Sequence, residues 1–240
     1  MKKILLLGSQ HGNELLGEKL FAYIRSFRKE LVPFVIFKVG NPEAYRNGIR
    51  YLETDMNRAY VPNPVSYEEH LANDMLSYIH REDFDLVLDL HTTRTIQPPS
   101  FIHGQISDEV KRFIKSSTIK HVVYMNDSIV KRSLIGNCNH ALSIEVQNTN
   151  LSVELYEALC DDIQRYVRDK KISAQRYYYE ITELLLKNEL SETQLKTLIN
   201  FKKSAYGFYP VLVGENSYKK QTNYLGFKAQ RVTTLRGSTL

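Results

Sequence analysis

Residues 2–14 read KKILLLGSQHGNE, and the stretch changes character at Gly8. Ile4 to Leu7 is an unbroken apolar run, the pattern of a strand buried on both faces. It gives way to Gly8, Ser9 and Gln10 and then to His11-Gly12-Asn13-Glu14. Beyond that turn Leu16, Leu20, Ile24 and Phe27 recur three or four residues apart, as on the buried face of a helix. Strand, polar turn and helix together open an α/β unit. Two lysines precede the apolar run, but it is far shorter than the ~7 residues a secretory signal requires, so it is read as a buried first strand and not as a leader.

The same texture repeats outward from this unit. Phe34 to Val39, Phe84 to Leu90, His121 to Met125 and Leu142 to Val146 are further short runs rich in Val, Ile and Leu. Between them lie helical patterns, Leu71, Met75 and Ile79 in one and Val153, Tyr156, Leu159, Ile163 and Val167 in another. This order predicts an α/β fold in which helices flank both faces of a mainly parallel or mixed sheet, with ligands gathered where strands end. After Lys171 the pattern changes. Tyr177, Tyr178 and Tyr179 cluster, as in alternating aromatic burial along a strand, and a charged Leu-rich stretch runs to Asn200. Tyr209 to Val213 then reads as a strand, with Tyr224 to Phe227 and Arg231 to Leu235 as weaker ones. The expected division is a larger α/β domain, residues 1–171, and a small β-rich C-terminal domain, residues 172–240, packed against it.

Composition narrows the class. Of the 240 residues 42% are hydrophobic and 25% charged, so the chain is too apolar for disorder. It is also large enough to bury a core without a metal or disulfide holding it together, so a bound metal would serve chemistry. A net charge of +5 favours anionic partners without naming them. No apolar run approaches the ~18 residues of a membrane span. Cys138 and Cys160 match no zinc spacing and are read as reduced thiols, which gives a cytoplasmic expectation.

Chemistry concentrates after strands. His11 and Glu14 offer an imidazole and a carboxylate that can reach one cation, and a catalytic zinc takes three protein ligands while leaving one position open. The pair alone is weak, because a Glu near a helix N-terminus is favourable for electrostatic reasons. His91 supplies a third ligand at the end of the run Phe84 to Leu90. Asp89, two residues earlier and on the same strand face, could order that ligand. His70, His80, His103, His121 and His140 have no comparable setting. After Val39, the segment Asn41-Pro42-Glu43-Ala44, Arg50-Tyr51 and Asp55-Met56-Asn57-Arg58 offers two arginines and an amide. Arg50 could polarise a carbonyl, Arg58 hold a carboxylate and Asp55 orient an arginine. The plain alternative is a polar loop with weak surface ion pairs. Glu145 is one acid inside the apolar run Leu142 to Val146, where burial and a nearby cation would pull its proton affinity in opposite directions and could leave a general base.

HGNEL at 11–15, NPEA at 41–44, RY at 50–51, DMNR at 55–58, DLHTT at 89–93 and IEV at 144–146 resemble, in order, the signatures of the aspartoacylase and succinylglutamate desuccinylase family of zinc carboxypeptidase-like metallohydrolases. Tyr209-Pro210-Val211 with Glu215 and Tyr218 is similar to the end of that family's C-terminal β domain. The resemblance implies a carboxypeptidase-like mixed sheet flanked by helices. It implies one Zn2+ per chain on His11, Glu14 and His91, and hydrolysis of an N-acyl amino acid by metal-activated water with Glu145 as base. Arg50 is then expected at the scissile carbonyl, Asn57 and Arg58 at the amino-acid carboxylate, and Tyr218 with Arg132 at a second acidic group, Lys131 competing with Arg132. The implied partner is a small anionic substrate, with no nucleic acid and no membrane, and with homo-oligomerisation left open. Two rival readings are a metallocarboxypeptidase acting on peptides and a non-catalytic anion- or nucleic-acid-binding module. The dispersed Lys and Arg residues disfavour the latter.

Overall fold

The computed structural model describes residues 1–215 and 222–237. Its strands are β1 (Ile4–Gly8), β2 (Val35–Val39), β3 (Leu86–Thr93), β4 (Ser100–His103), β5 (His121–Tyr124), β6 (Ala141–Gln147), β7 (Tyr177–Leu186), β8 (Tyr209–Val211) and β9 (Tyr224–Val232). The main helices are α1 (Leu16–Phe27), α2 (Pro42–Asn47), α3 (Tyr67–Glu82), α4 (Asp108–Ser116), α5 (Asp127–Val130), α6 (Leu134–Asn137) and α7 (Val153–Val167). Among the described residues the strands form one mixed sheet in the order β2-β1-β3-β6-β4-β5-β7-β9-β8.

Strands β1, β2, β3 and β6 run in one direction, while β4, antiparallel to β6, reverses the sense and is followed by β5 and β7 parallel to it. The carboxyl ends of β1, β2, β3 and β6 therefore share one edge. The strands after Lys171 enter the same sheet, β7 pairing with β5 and β9 returning antiparallel along β7. Tyr224 to Phe227 and the start of the Arg231 to Leu235 segment lie in one strand, β9, because pairing with β7, despite two register shifts, runs through the intervening Lys228, Ala229 and Gln230. Strand β4 and helix α4 carry no sequence expectation; β4 spans only four residues and follows Pro98 and Pro99, too short a run for a periodicity to register.

Side-chain alternation along the central strands divides the core in two. Leu86, Leu88 and Leu90 of β3 and Leu142, Ile144 and Val146 of β6 pack with α1, α4 and α7. Val87 and Ala141 face the other core with α3, α5 and α6. Because strand side chains alternate faces, Asp89 and His91 follow Val87 onto that second face, and Ser143 and Glu145 follow Ala141. The parallel register sets Asp89 opposite Ser143 and His91 opposite Glu145. Polar residues reach the end of a buried strand here without interrupting its apolar face.

No helix among the described residues is long and apolar enough to cross a membrane. Cys138 and Cys160 are buried free thiols.

Candidate metal centre and active site

The turn after β1 is built for close approach. A Cβ at Gly12 would lie 2.1 Å from the Ala44 carbonyl carbon, so only glycine lets the His11–Glu14 turn rest on α2. The Gly12 amide donates to the Arg50 carbonyl at 3.0 Å, and the Glu14 amide donates back to the His11 carbonyl at 2.9 Å. This fixes the His11 and Glu14 side chains toward β3. There His11, Glu14 and His91, all buried, present ligand atoms within 4.8 Å of one another, a group that could hold one metal ion.

The hydrogen-bond pattern gives a test of that possibility. Glu14 Oε1 lies 2.8 Å from His11 Nδ1 and its Oε2 lies 3.0 Å from His91 Nδ1. On their far sides the rings meet two further carboxylates, His11 Nε2 at 3.0 Å from Asp55 Oδ1 and His91 Nε2 at 2.9 Å from Asp89 Oδ2. A neutral imidazole has one N–H, so a ring with a carboxylate at each nitrogen is satisfied only by a second proton or by a cation at one nitrogen. The cluster holds three carboxylates, those of Glu14, Asp55 and Asp89, and one guanidinium, that of Arg50, which pairs with Glu14 and Asp55. With neutral histidines, three negative charges and one positive leave a deficit that one divalent cation fills. The donor set fits a metal.

The proton affinities tell the same story. Burial opposes charging His91, yet Asp89 and then Glu14 outweigh it and hold its pKa well above the ordinary value. For His11, burial and the Arg50 charge are outweighed by Glu14 and Asp55, and the pKa again rises. Glu14 moves the opposite way, well below the usual carboxylate range, since His11 and His91 overcome its burial. Glu145 differs: burial is the largest influence and lifts it to about 7, with His91 pulling it down and Glu14 pushing it up.

The loop after α2 closes the centre. Arg50 Nη1 donates to Glu14 Oε1 at 2.9 Å and its Nε to Asp55 Oδ2 at 3.1 Å. Asp55 thereby bridges Arg50 and His11. A cavity of about 480 Å³ adjoins His91 and Glu145 and is lined by the polar Asn57, Arg58, Lys131 and Arg132 and by the apolar Ile102, Met125, Leu212 and Phe227.

Of the residues singled out from sequence, His11, Glu14, His91, Arg50 and Asp55 share one hydrogen-bonded cluster. Glu145, Asn57, Arg58, Lys131 and Arg132 line the adjoining cavity. Arg132 also donates to Glu69 Oε1 at 3.3 Å. Tyr218 lies outside the described residues.

Four residues escaped the sequence reading. Gln10 donates to Asp89 Oδ1 at 2.6 Å, Tyr60 donates to Gln10 Oε1 at 2.6 Å, and Ser143 donates to Asp89 Oδ2 at 2.8 Å, a buried network that orients the carboxylate behind His91. Tyr224, from β9, accepts from Arg58 Nη2 at 2.6 Å. Position two residues along β6 from Glu145 could have flagged Ser143. Nothing local marks Tyr224.

Comparison with known proteins places this architecture. Residues 1–164 match the succinylglutamate desuccinylase/aspartoacylase catalytic domain. A probable aspartoacylase from Prochlorococcus marinus subsp. pastoris is 28% identical over 148 residues, 55% of this chain and 48% of that protein. The aspartoacylase of Danio rerio is 30% identical over 143 residues, 50% of this chain and 44% of its own. The chain thus spans about half the length of these curated relatives. Among solved structures, murine aminoacylase 3 superposes with a TM-score of 0.68 at 17% identity, covering 96% of this chain and 95% of that one. The succinylglutamate desuccinylase of Chromobacterium violaceum gives a TM-score of 0.73 at 13% identity over 97% and 85%. These likenesses show a shared fold, and with the domain match over most of its length the chain belongs to the succinylglutamate desuccinylase/aspartoacylase family.

Proposed function

We propose that this protein is a zinc-dependent amidohydrolase that cleaves N-acyl amino acids into a carboxylic acid and a free amino acid. The observation that carries the reading is the pair of buried histidines bracketed by carboxylates, with Glu145 opposite His91 in register and a cavity beside both. His11, Glu14 and His91 would hold the ion. When bound, zinc supplies Lewis acidity toward the scissile carbonyl and the attacking water.

The remaining work falls to the chain. Glu145, lifted to about 7 by burial, is suited to take a proton from the attacking water on a carboxylate oxygen and return it to the departing amine. Arg50, held between Glu14 and Asp55, offers a fixed guanidinium to the oxygen that gains charge as the carbonyl becomes tetrahedral. Asn57 and Arg58 would take the amino-acid carboxylate at the cavity, with Arg58 steadied by Tyr224. Lys131 or Arg132, which also line the cavity, would meet a second anionic group, a role in which the family resemblance adds Tyr218. Residues 172–240 would serve as a small domain covering the site.

The cavity wall combines cationic and apolar groups, and the relatives span an aspartoacylase and N-acyl-aromatic-L-amino acid amidohydrolases of Danio rerio. Substrate choice is therefore tested with a panel of N-acetyl-aspartate, N-succinyl-glutamate, N-acetyl-phenylalanine and short peptides. Glu145→Gln is expected to keep its zinc and to lose roughly 10²- to 10⁴-fold in kcat on the best substrate. Undiminished hydrolysis would remove Glu145 as base, and cleavage of peptides alone would turn the assignment into a carboxypeptidase.

A further inference from the structure

The segment from Arg50 to Asp55 has no regular secondary structure, yet it delivers two side chains to the metal centre. Three of its backbone amides are held by one side chain. Leu52, Glu53 and Thr54 donate in succession to one carboxylate, that of Glu68, at 2.6 Å to Oε1 and at 3.2 and 3.0 Å to Oε2. Asn41 Nδ2, from the turn after β2, donates to Oε1 at 3.1 Å. Asn41 in turn caps α2 by accepting from the Ala44 amide at 3.1 Å. Glu53 completes the clasp from the other side, its carboxylate accepting the Tyr67 amide at 2.9 Å at the start of α3.

Glu68 is 0% exposed, and among the described residues no lysine, arginine or histidine pairs with it. A buried carboxylate without a cation is costly unless N–H groups surround it, and here four donors do. Every partner is a donor. Glutamine would therefore place its NH2 against N–H groups in either orientation, and aspartate would fall a methylene short. The clamp grips three of the four residues between Arg50 and Asp55, while the Arg50–Asp55 ion pair closes the mouth of the same loop.

We propose that Glu68 is a positioning residue: from the first turn of α3 it sets the 52–54 backbone so that Arg50 reaches Glu14 and Asp55 reaches His11. The kinetic part of this proposal rests on the amidohydrolase reading, and the structural part stands without it.

The test uses the full chain, wild type and Glu68→Gln, with Glu68→Asp as a second variant should the first not fold. Amide hydrogen exchange in the wild type should show residues 52–54 protected although they lie in a surface loop. Glu68→Gln should lose at least about tenfold of that protection while the β1, β3 and β6 amides keep theirs. With the best N-acyl amino acid of the panel, kcat should fall roughly 10²-fold with KM changed by less than about twofold, the mark of a misplaced transition-state group. In an Arg50→Ala background the same substitution should cost clearly less than it does in the wild type, since part of its effect passes through Arg50. Unprotected 52–54 amides in the wild type, wild-type kcat in Glu68→Gln, or losses that simply multiply in the double variant would each overturn the proposal. A wild type that hydrolyses no N-acyl amino acid would count against the function alone, because the exchange measurement still decides whether Glu68 holds the loop.

Discussion

His91 and His103 each sit fully buried on a strand of one sheet, and their surroundings pull them in opposite directions. At the end of β3, Asp89 and Glu14 flank His91 and favour its charged form against the cost of burial. At the end of β4, His103 finds the Gly104 carbonyl at 2.8 Å, and burial drives its pKa down to about 4. The contrast shows what makes a metal centre legible in a protein interior. Burial by itself makes a neutral histidine; carboxylates on both ring nitrogens make a place for positive charge. The edge of β3 therefore has the donors to hold a cation, and the edge of β4 is a satisfied core position.

The largest effect should come from deleting the carboxylate that both metal-side rings share. Glu14→Ala is expected to take zinc content, measured on the dialysed protein, from about one ion per chain to near zero, whereas His103→Asn should leave it unchanged. Full zinc retention in Glu14→Ala would break the contrast. The next effect is on stability. His103 binds a proton less readily folded than unfolded, so between pH ~6.5 and ~4 the unfolded chain takes up more protons and folding weakens as pH falls. The loss is on the order of 3 kcal/mol once the pH reaches the folded value. Urea unfolding at pH 7 and pH 4.5 should show a smaller acid loss in His103→Asn than in the wild type; an equal loss would show that burial does not depress this group. The smallest effect sharpens the cavity side. Tyr224→Phe removes the acceptor for Arg58 Nη2, a contribution of about 1 kcal/mol, so KM should rise roughly fivefold with kcat unchanged.

Much of this was readable from the chain. A strand buried on both faces shows as an apolar run, and a polar residue appended to it stands out, which is why His11, His91 and the lone acid Glu145 could be picked before any coordinates. The helices at Leu16, Leu71 and Val153 were equally plain from spacing. What stayed hidden depends on contacts between distant segments. Tyr224 lies 166 positions from Arg58 and Tyr60 lies 50 from Gln10, and no local pattern links either pair. Glu68 looks like any acid favoured at a helix N-terminus until the 52–54 amides are seen to converge on it. Lys131 and Arg132 are adjacent, and spacing alone does not choose between neighbours; both border the cavity, and Arg132 divides its interactions with Glu69.

The pairing of His91 with Glu145 across β3 and β6 also constrains how this protein can change over generations. A single codon gained or lost between Ala141 and Ser143 would rotate the acid onto the α1, α4 and α7 side and turn Ile144 toward the face of His91. Point substitutions at the rim can be sampled one at a time, but within β6 a change of one residue flips the face and a change of two slides Glu145 out of register with His91, so diversity in this lineage should accumulate in the connections and not along the central ribbon.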